Sequence, residues 1–229
     1  MSGGSGPKGP EPAGGAAPSA LTGLTPGYLR SKDVGIGVCP FEGTPKRRRK
    51  SKMMKLLAIS GSARQASSNT ALLRAVAEVA PPPFEISVFA GLAGLPVFSP
   101  DLEAAPLPAP VQAFADLIAE ADGLILSSPE YVHALPGGLK NAIDWLVSRE
   151  EIIAKPIALM HGSHRGDEML AQLRRVLSTV SSGFMAEPFL RLDLLKRSPE
   201  EIATQMRADE MRAAVAEYLE LFRSRCTSA

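Results

Sequence analysis

The fold turns on the stretch Leu56-Leu57-Ala58-Ile59-Ser60-Gly61-Ser62-Ala63-Arg64-Gln65-Ala66-Ser67-Ser68-Asn69-Thr70. A short apolar run ends in small hydroxylic residues and a glycine, and a helical pattern follows. The chain must turn sharply after the strand, and Gly61 lets the backbone do so. Ser62, Ser67, Ser68, Asn69 and Thr70 then offer short hydrogen-bond donors, and Arg64 offers a planar fork of N–H groups. A helix starting near Asn69 directs its unpaired N–H groups and positive dipole end at the same point. A phosphate dianion there gains several charge-assisted hydrogen bonds, each worth about 1.5–3 kcal/mol before costs. No lysine follows at P-loop spacing, so the loop suits a mononucleotide phosphate better than a nucleoside triphosphate. The plainer alternative is an ordinary polar turn in which Ser68 or Asn69 only caps the helix.

A second stretch has the same grammar: Gly123-Leu124-Ile125-Leu126-Ser127-Ser128-Pro129-Glu130-Tyr131-Val132-His133, then Ala134-Leu135-Pro136-Gly137-Gly138-Leu139-Lys140-Asn141-Ala142-Ile143-Asp144-Trp145. Pro129 ends the strand and Pro136-Gly137-Gly138 opens the next helix. Between them Glu130, Tyr131, Val132 and His133 form a short rigid loop. Its backbone N–H and C=O groups suit the polar edge of a flat heterocycle, with Tyr131 and His133 packed on or beside the rings. Alternatively, Tyr131 is a core aromatic and His133 a surface residue. Both stretches lie at the carboxyl ends of strands, where doubly wound domains bind their ligands.

From Lys55 onward strands and helices alternate. Strands are expected at Lys55–Ile59, Phe84–Phe89, Gly123–Ser127, Pro156–Met160 and Phe184–Phe189, and helices at Thr70–Val79, Pro108–Ala121, Pro136–Val147, Asp167–Thr179 and Asp209–Ser224. The last carries Met211, Ala214, Val215, Tyr218, Leu219 and Phe222 on one stripe at helical spacing. Met169, Leu170, Leu173 and Leu177 form a packing stripe, and Ile143 and Trp145 read as core. Asp144 and Lys140, four apart, are placed to pair with each other. The alternation predicts a three-layer α/β sandwich, and right-handed crossovers predict a five-stranded parallel sheet of order 2-1-3-4-5.

The 229 residues, 45% of them hydrophobic, suffice for one substantial core. Residues 1–52 are different: 11 Gly and 7 Pro give a low-complexity composition that cannot repay its ordering entropy by burial. They also hold nine basic against three acidic residues, a net +6, while the remainder carries −5. This sets an expected boundary between a disordered basic tail, 1–52, and a folded domain, 53–229. The run Lys46-Arg47-Arg48-Arg49-Lys50-Ser51-Lys52 has a sharp reading, a localisation or polyanion-binding signal. The preferred plain reading is a solvated tail, or sequence upstream of a true start at Met53 or Met54. Gly35-Ile36-Gly37 has Pro40 where a dinucleotide fingerprint needs glycine, so it carries no weight. Cys39 and Cys226 lie far apart without CxxC spacing, which fits a reducing, cytoplasmic setting without a disulfide framework. No apolar run reaches the roughly 18 residues of a membrane span, and no nucleic-acid partner is expected of the mildly acidic domain.

Taken together, Gly-Ser-x-Arg-x-x-Ser-x-Asn after the first strand and Pro-Glu-Tyr, then Pro-Gly-x-Leu-Lys-Asn-Ala-Ile-Asp-Trp, after the third resemble the NADPH-dependent FMN reductases. These are flavodoxin-like flavoproteins that include quinone, azo-dye and chromate reductases. The likeness runs from about residue 54 to 185 and weakens beyond. It implies a flavodoxin-like fold and an FMN-dependent oxidoreductase that takes hydride from NADPH, or NADH, and passes electrons to a small quinone-like acceptor by a ping-pong route. It implies that Ser62, Arg64, Ser67 and Asn69 bind the FMN phosphate and that Pro129, Glu130, Tyr131 and His133 line the ring system. The loop His161-Gly162-Ser163-His164-Arg165-Gly166, Ser163 included, would close the site, and the protein would assemble as a homodimer or homotetramer. Two departures stand out. Val132 replaces the Asn common after Glu-Tyr, and the strand-four loop carries two histidines and an arginine where the family is richer in Gly and Ser.

With the flavin carrying the chemistry, no protein residue is expected as acid, base or nucleophile. His133, His161 and His164 sit on separate loops without supporting carboxylate or thiolate spacing, so they read as pocket walls and not as a metal site. His164 and Arg165 are placed to attract the phosphates of NADPH. Ser163 lacks the G-x-S-x-G context of a hydrolase nucleophile, since residue 161 is His. The rival from another class is a flavodoxin-like electron carrier or FMN-binding regulatory module without NADPH turnover. An aromatic content of 5% and a single tyrosine on the shelf favour the enzyme.

Overall fold

The computed structural model describes residues 52–64, 66–103 and 106–227. The expected basic tail, 1–52, therefore lies outside the described residues except for Lys52, as does Cys39.

Five parallel strands form one sheet in the order β2-β1-β3-β4-β5, as the alternation predicts. They are β1 (Met54–Ser60), β2 (Phe84–Phe89), β3 (Gly123–Ser127), β4 (Ile157–His161) and β5 (Phe184–Arg191). The helices are α1 (Ser68–Val79), α2 (Pro100–Glu103), α3 (Ala109–Glu120), α4 (Gly137–Asp144), α5 (Glu150–Ile153), α6 (Asp167–Val180), α7 (Pro199–Met206) and α8 (Asp209–Thr227), with a 3-10 turn at Leu92–Gly94.

The three central strands are buried on both faces, so they read as continuous apolar runs. Their alternation still sorts two cores. Leu57, Ile59, Leu124, Leu126, Ile157 and Leu159 face α3, α4 and the Met169, Leu170, Leu173 and Leu177 stripe of α6. Leu56, Ala58, Ile125, Ala158 and Met160 face α1 and the Val215, Tyr218, Leu219 and Phe222 stripe of α8. Trp145 is fully buried, its Nε1 donating to the Pro96 carbonyl at 2.8 Å, and Asn141 clamps the same segment through Pro96 O and the Phe98 N–H. Lys140 and Asp144 form the expected ion pair. Pro188 lies in β5, an edge strand, where a missing N–H is tolerated. No helix of the described residues is long and apolar enough to cross a membrane.

Candidate functional site

The carboxyl ends of β1, β3 and β4 converge at one edge of the sheet, and three loops rise there. The first is the β1–α1 loop. Gly61 N–H donates to Ser127 O at 2.8 Å, bringing the loop hard against the end of β3. Three side-chain bonds set the start of α1. Ser67 Oγ accepts from Thr70 N at 3.4 Å, Ser60 Oγ meets Thr70 Oγ1 at 2.8 Å, and Ser127 Oγ donates to Asn69 Oδ1 at 2.8 Å. The cap is thus Ser67, and not Ser68 or Asn69 as the plainer sequence alternative has it. Asn69 is held by β3 with its amide N–H groups free to donate. Ser62 and Ser67 are buried beneath the loop, where Ser62 Oγ accepts from Arg64 N at 3.2 Å. The Arg64 side chain is exposed and has no ion-pair partner among the described residues. In the first turn of α1 the N–H groups of Ser68 and Asn69 have no carbonyl within the helix to bond.

The second loop is the shelf after β3. Tyr131 and Ala134 exchange two backbone hydrogen bonds of 3.0 Å, closing a two-residue turn with φ of 51° at Val132 and 58° at His133. Left-handed backbone at both central positions is the type I′ pattern. Tyr131 is 48% exposed, which corrects the core reading of that residue. Helix α6 braces the shelf from behind. Glu130 Oε2 accepts from Met169 N at 3.1 Å, Gln172 donates to His133 O at 2.9 Å, and His133 Nδ1 lies 3.3 Å from Glu168. The α6 amino terminus begins at Gly166, which has no side chain to cap with, so Glu130 supplies the cap across the site.

Val132 is 94% exposed, so its side chain gains no packing to offset a backbone that β-branched residues avoid. Val132→Asn is expected to stabilise the protein by about 1 kcal/mol, a rise of about 2–4 °C in thermal midpoint for a domain of this size. A midpoint that falls would remove the strain argument.

The third loop follows β4. His161 is buried and its Nε2 stands 2.5 Å from the carbonyl oxygen of Arg165. A carbonyl only accepts, so Nε2 carries the proton. Burial pushes the imidazole below its ordinary pKa against the favourable pull of that carbonyl, leaving the ring neutral at pH 7. Nδ1 is buried and makes no hydrogen bond of full geometry among the described residues, the Ser128 backbone being a second backbone group that favours the charged ring. Ser163 Oγ accepts from Arg165 N at 3.0 Å. Arg191 ties the loop down through Ser163 O, Arg165 O and Asp167. His164 pairs with Asp193 at 3.2 Å. Among the described residues no group of three or more His, Cys, Asp or Glu is placed to hold a metal ion.

The three loops, with the segment after β5, enclose a cavity of about 400 Å³. Of the nine residues expected to bind FMN, Asn69, Pro129, Glu130 and Ser163 line it, together with His161, Gly162, Arg165 and Gly166 of the loop expected to close the site. Ser62 and Ser67 lie buried under the cradle, while Arg64, Tyr131 and His133 are exposed on the flanking loops. Sequence reading missed the contribution of Leu194, Leu195 and Lys196 to the wall. A larger hollow of about 630 Å³ opens at the opposite edge of the sheet, among Met53, Met54, Asp122, Pro156 and the end of α8. No helix amino terminus lines it, so the smaller cavity is the candidate site.

The donor set fits a flavin mononucleotide. Helix N–H groups and unpaired cations answer a phosphate. The volume lies in the range of cofactor pockets. A doubly wound parallel sheet with an anion cradle after β1 and a flat shelf after β3 defines a flavodoxin-like nucleotide-binding protein.

Comparison with known proteins narrows the class. Residues 54–193 match the family model of the NADPH-dependent FMN reductases. The chain is 31% identical over 144 residues to the quinone reductase of Escherichia coli K12, spanning 60% of this chain and 77% of that one. It is 38% identical over 112 residues to an NAD(P)H-dependent FMN reductase of Pseudomonas aeruginosa, spanning 48% and 60% respectively. Among solved structures, the flavoenzyme NAD(P)H:(acceptor) oxidoreductase FerB of Paracoccus denitrificans shares the fold. Its TM-score is 0.61 at 22% identity, covering 75% of this chain and 98% of that one. The chain belongs to the NADPH-dependent FMN reductase family, and with it to the oxidoreductases that use FMN with NAD(P)H as electron donor.

Proposed function

We propose that the protein takes hydride from NADPH, or NADH, and delivers electrons through FMN to a small quinone-like acceptor, the oxidised donor leaving before the acceptor enters. The observation that carries this reading is the single cavity that joins the amino terminus of α1 to the β3 shelf and the β4 loop. Around it, this reading assigns Ser62, Arg64 and Ser67 of the β1–α1 loop, with the lining residue Asn69, to the phosphate cradle, and Tyr131 and His133 of the shelf, with the lining residues Pro129, Glu130 and Ser163, to the border of the ring system. When bound, FMN supplies the hydride acceptance and electron transfer.

The chain's own part is to bind, orient and shield. The Glu130 carboxylate is spent on capping α6 and the Tyr131 backbone on its own turn. The N–H groups of Glu130, Val132 and His133 have no partner among the described residues, and they are the donors this reading assigns to the polar ring edge. Similarity to a protein named quinone reductase supports a quinone-like acceptor. A homodimer or homotetramer in a cytoplasmic setting completes the proposal.

An absorbance spectrum of the FMN-reconstituted protein, followed anaerobically on adding NADPH, tests it. Bound yellow chromophore should bleach within a turnover time, and initial rates with a quinone should give parallel double-reciprocal lines. Flavin that binds but stays oxidised would replace this reading with an electron carrier or regulatory module. Absence of bound flavin would end it.

A further inference from the structure

We propose that Lys196, from the loop after β5, binds the 5′-phosphate of FMN and completes the cradle begun by the β1–α1 loop. The inference rests on the cavity's being the FMN site, and it concerns a residue beyond the family-matched segment 54–193.

Four observations meet at this lysine. Lys196 lines the same cavity as Ser68 and Asn69, whose N–H groups open α1. It has no ion pair or hydrogen bond through its side chain among the described residues. The neighbouring Arg191 is taken by Asp167, His164 by Asp193 and Arg207 by Glu78. The lining charges are Arg165, Lys196 and Glu130, and Glu130 is already held at the α6 amino terminus. The wall is thus net cationic around the two helix N–H groups of Ser68 and Asn69, the complement of a dianion. Finally, His161 on the same wall is buried, and its Nδ1 makes no hydrogen bond of full geometry among the described residues.

The loop is placed with little freedom. Leu192 N bonds His161 O at 2.8 Å and Leu194 N bonds Gly162 O at 3.3 Å, so β5 continues to track β4 past its last strand residue. Leu194 is fully buried in the core that holds Leu72 of α1. Two residues after Lys196, Ser198 caps α7 in a reciprocal box with Glu201, and Arg207, the residue that ends α7, grips Glu78 of α1 at 2.7 Å. Lys196 is therefore held between two anchors, both fastened to α1. Its own φ of 62° is uncommon for a residue with a side chain.

Fluorescence-quenching titrations with FMN and with riboflavin, on the full chain and on Lys196→Gln and Lys196→Arg, decide the matter. The wild type should prefer FMN to riboflavin. Lys196→Gln should lose about tenfold in FMN affinity, the lower weight of one charge-assisted hydrogen bond, with riboflavin affinity unchanged. Lys196→Arg should keep most of the preference. Equal loss for both flavins would overturn the proposal by making the residue a packing element. Unchanged FMN affinity with a raised KM for NADPH but not NADH would overturn it by assigning the lysine to the donor's 2′-phosphate. A wild type without preference for FMN over riboflavin would overturn the cradle reading itself, an outcome separate from any effect confined to the Lys196 variants.

Discussion

Gly61→Ala is expected to weaken FMN binding by at least about tenfold and to destabilise the domain by about 1–3 kcal/mol, the usual cost of an overpacked methyl group. A Cβ at this position would stand 2.6 Å from Ser128 Oγ, 2.7 Å from Ser128 Cβ and 3.0 Å from Leu139 Cδ2. Rotating the hydroxyl away relieves only the first of these contacts. The second involves an atom fixed to the backbone at the end of β3. Relief therefore requires the β1–α1 loop to lift from β3, which breaks the Gly61–Ser127 hydrogen bond and parts the cradle from the shelf. Urea unfolding and FMN titration read the two effects separately. Retained FMN affinity in a destabilised variant would show that the cradle does not need this close approach.

Arg64→Ala is expected to lower FMN affinity by about tenfold or more while leaving riboflavin affinity near its original value. A guanidinium–phosphate bond is charge-assisted and worth about 1.5–3 kcal/mol. The lower end applies because Arg64 is exposed. Its side chain has no competing carboxylate among the described residues, so removal should leave thermal stability unchanged. A parallel fall in riboflavin affinity, or no fall for FMN, would remove Arg64 from the cradle.

The strands were legible because punctuation bounds them. Phe84–Phe89 and Gly123–Ser127 coincide with expectation, the first preceded by Pro81-Pro82-Pro83 and the second beginning at Gly123 and stopping just short of Pro129. Helix α1 begins at Ser68 and α6 ends at Val180, each within two residues of expectation. Helix α4 stops at Asp144 instead of Val147, beside Trp145, whose indole is fixed to Pro96. The four-residue helices α2 and α5 are too short to show a period. Helix α7 was missed although Ser198-Pro199-Glu200-Glu201 carries a capping-box signature, because its eight residues show little more than two turns.

By itself the sequence determined the three-layer architecture, the strand order and the two loops that meet at the carboxyl edge. Each of these follows from local grammar: an apolar run, a breaker, a helical period, and the single handedness of parallel crossovers. Only the tertiary structure decided which hydroxyl caps α1, that Glu130 and His133 serve α6, that His161 holds the β4 loop, and that Lys196 joins the cavity wall. Those outcomes depend on contacts between segments tens of residues apart, such as Asn69 with Ser127 and Glu130 with Met169. A side chain with several adequate local partners takes the one that the packed sheet brings within reach, and no spacing along the chain encodes that choice.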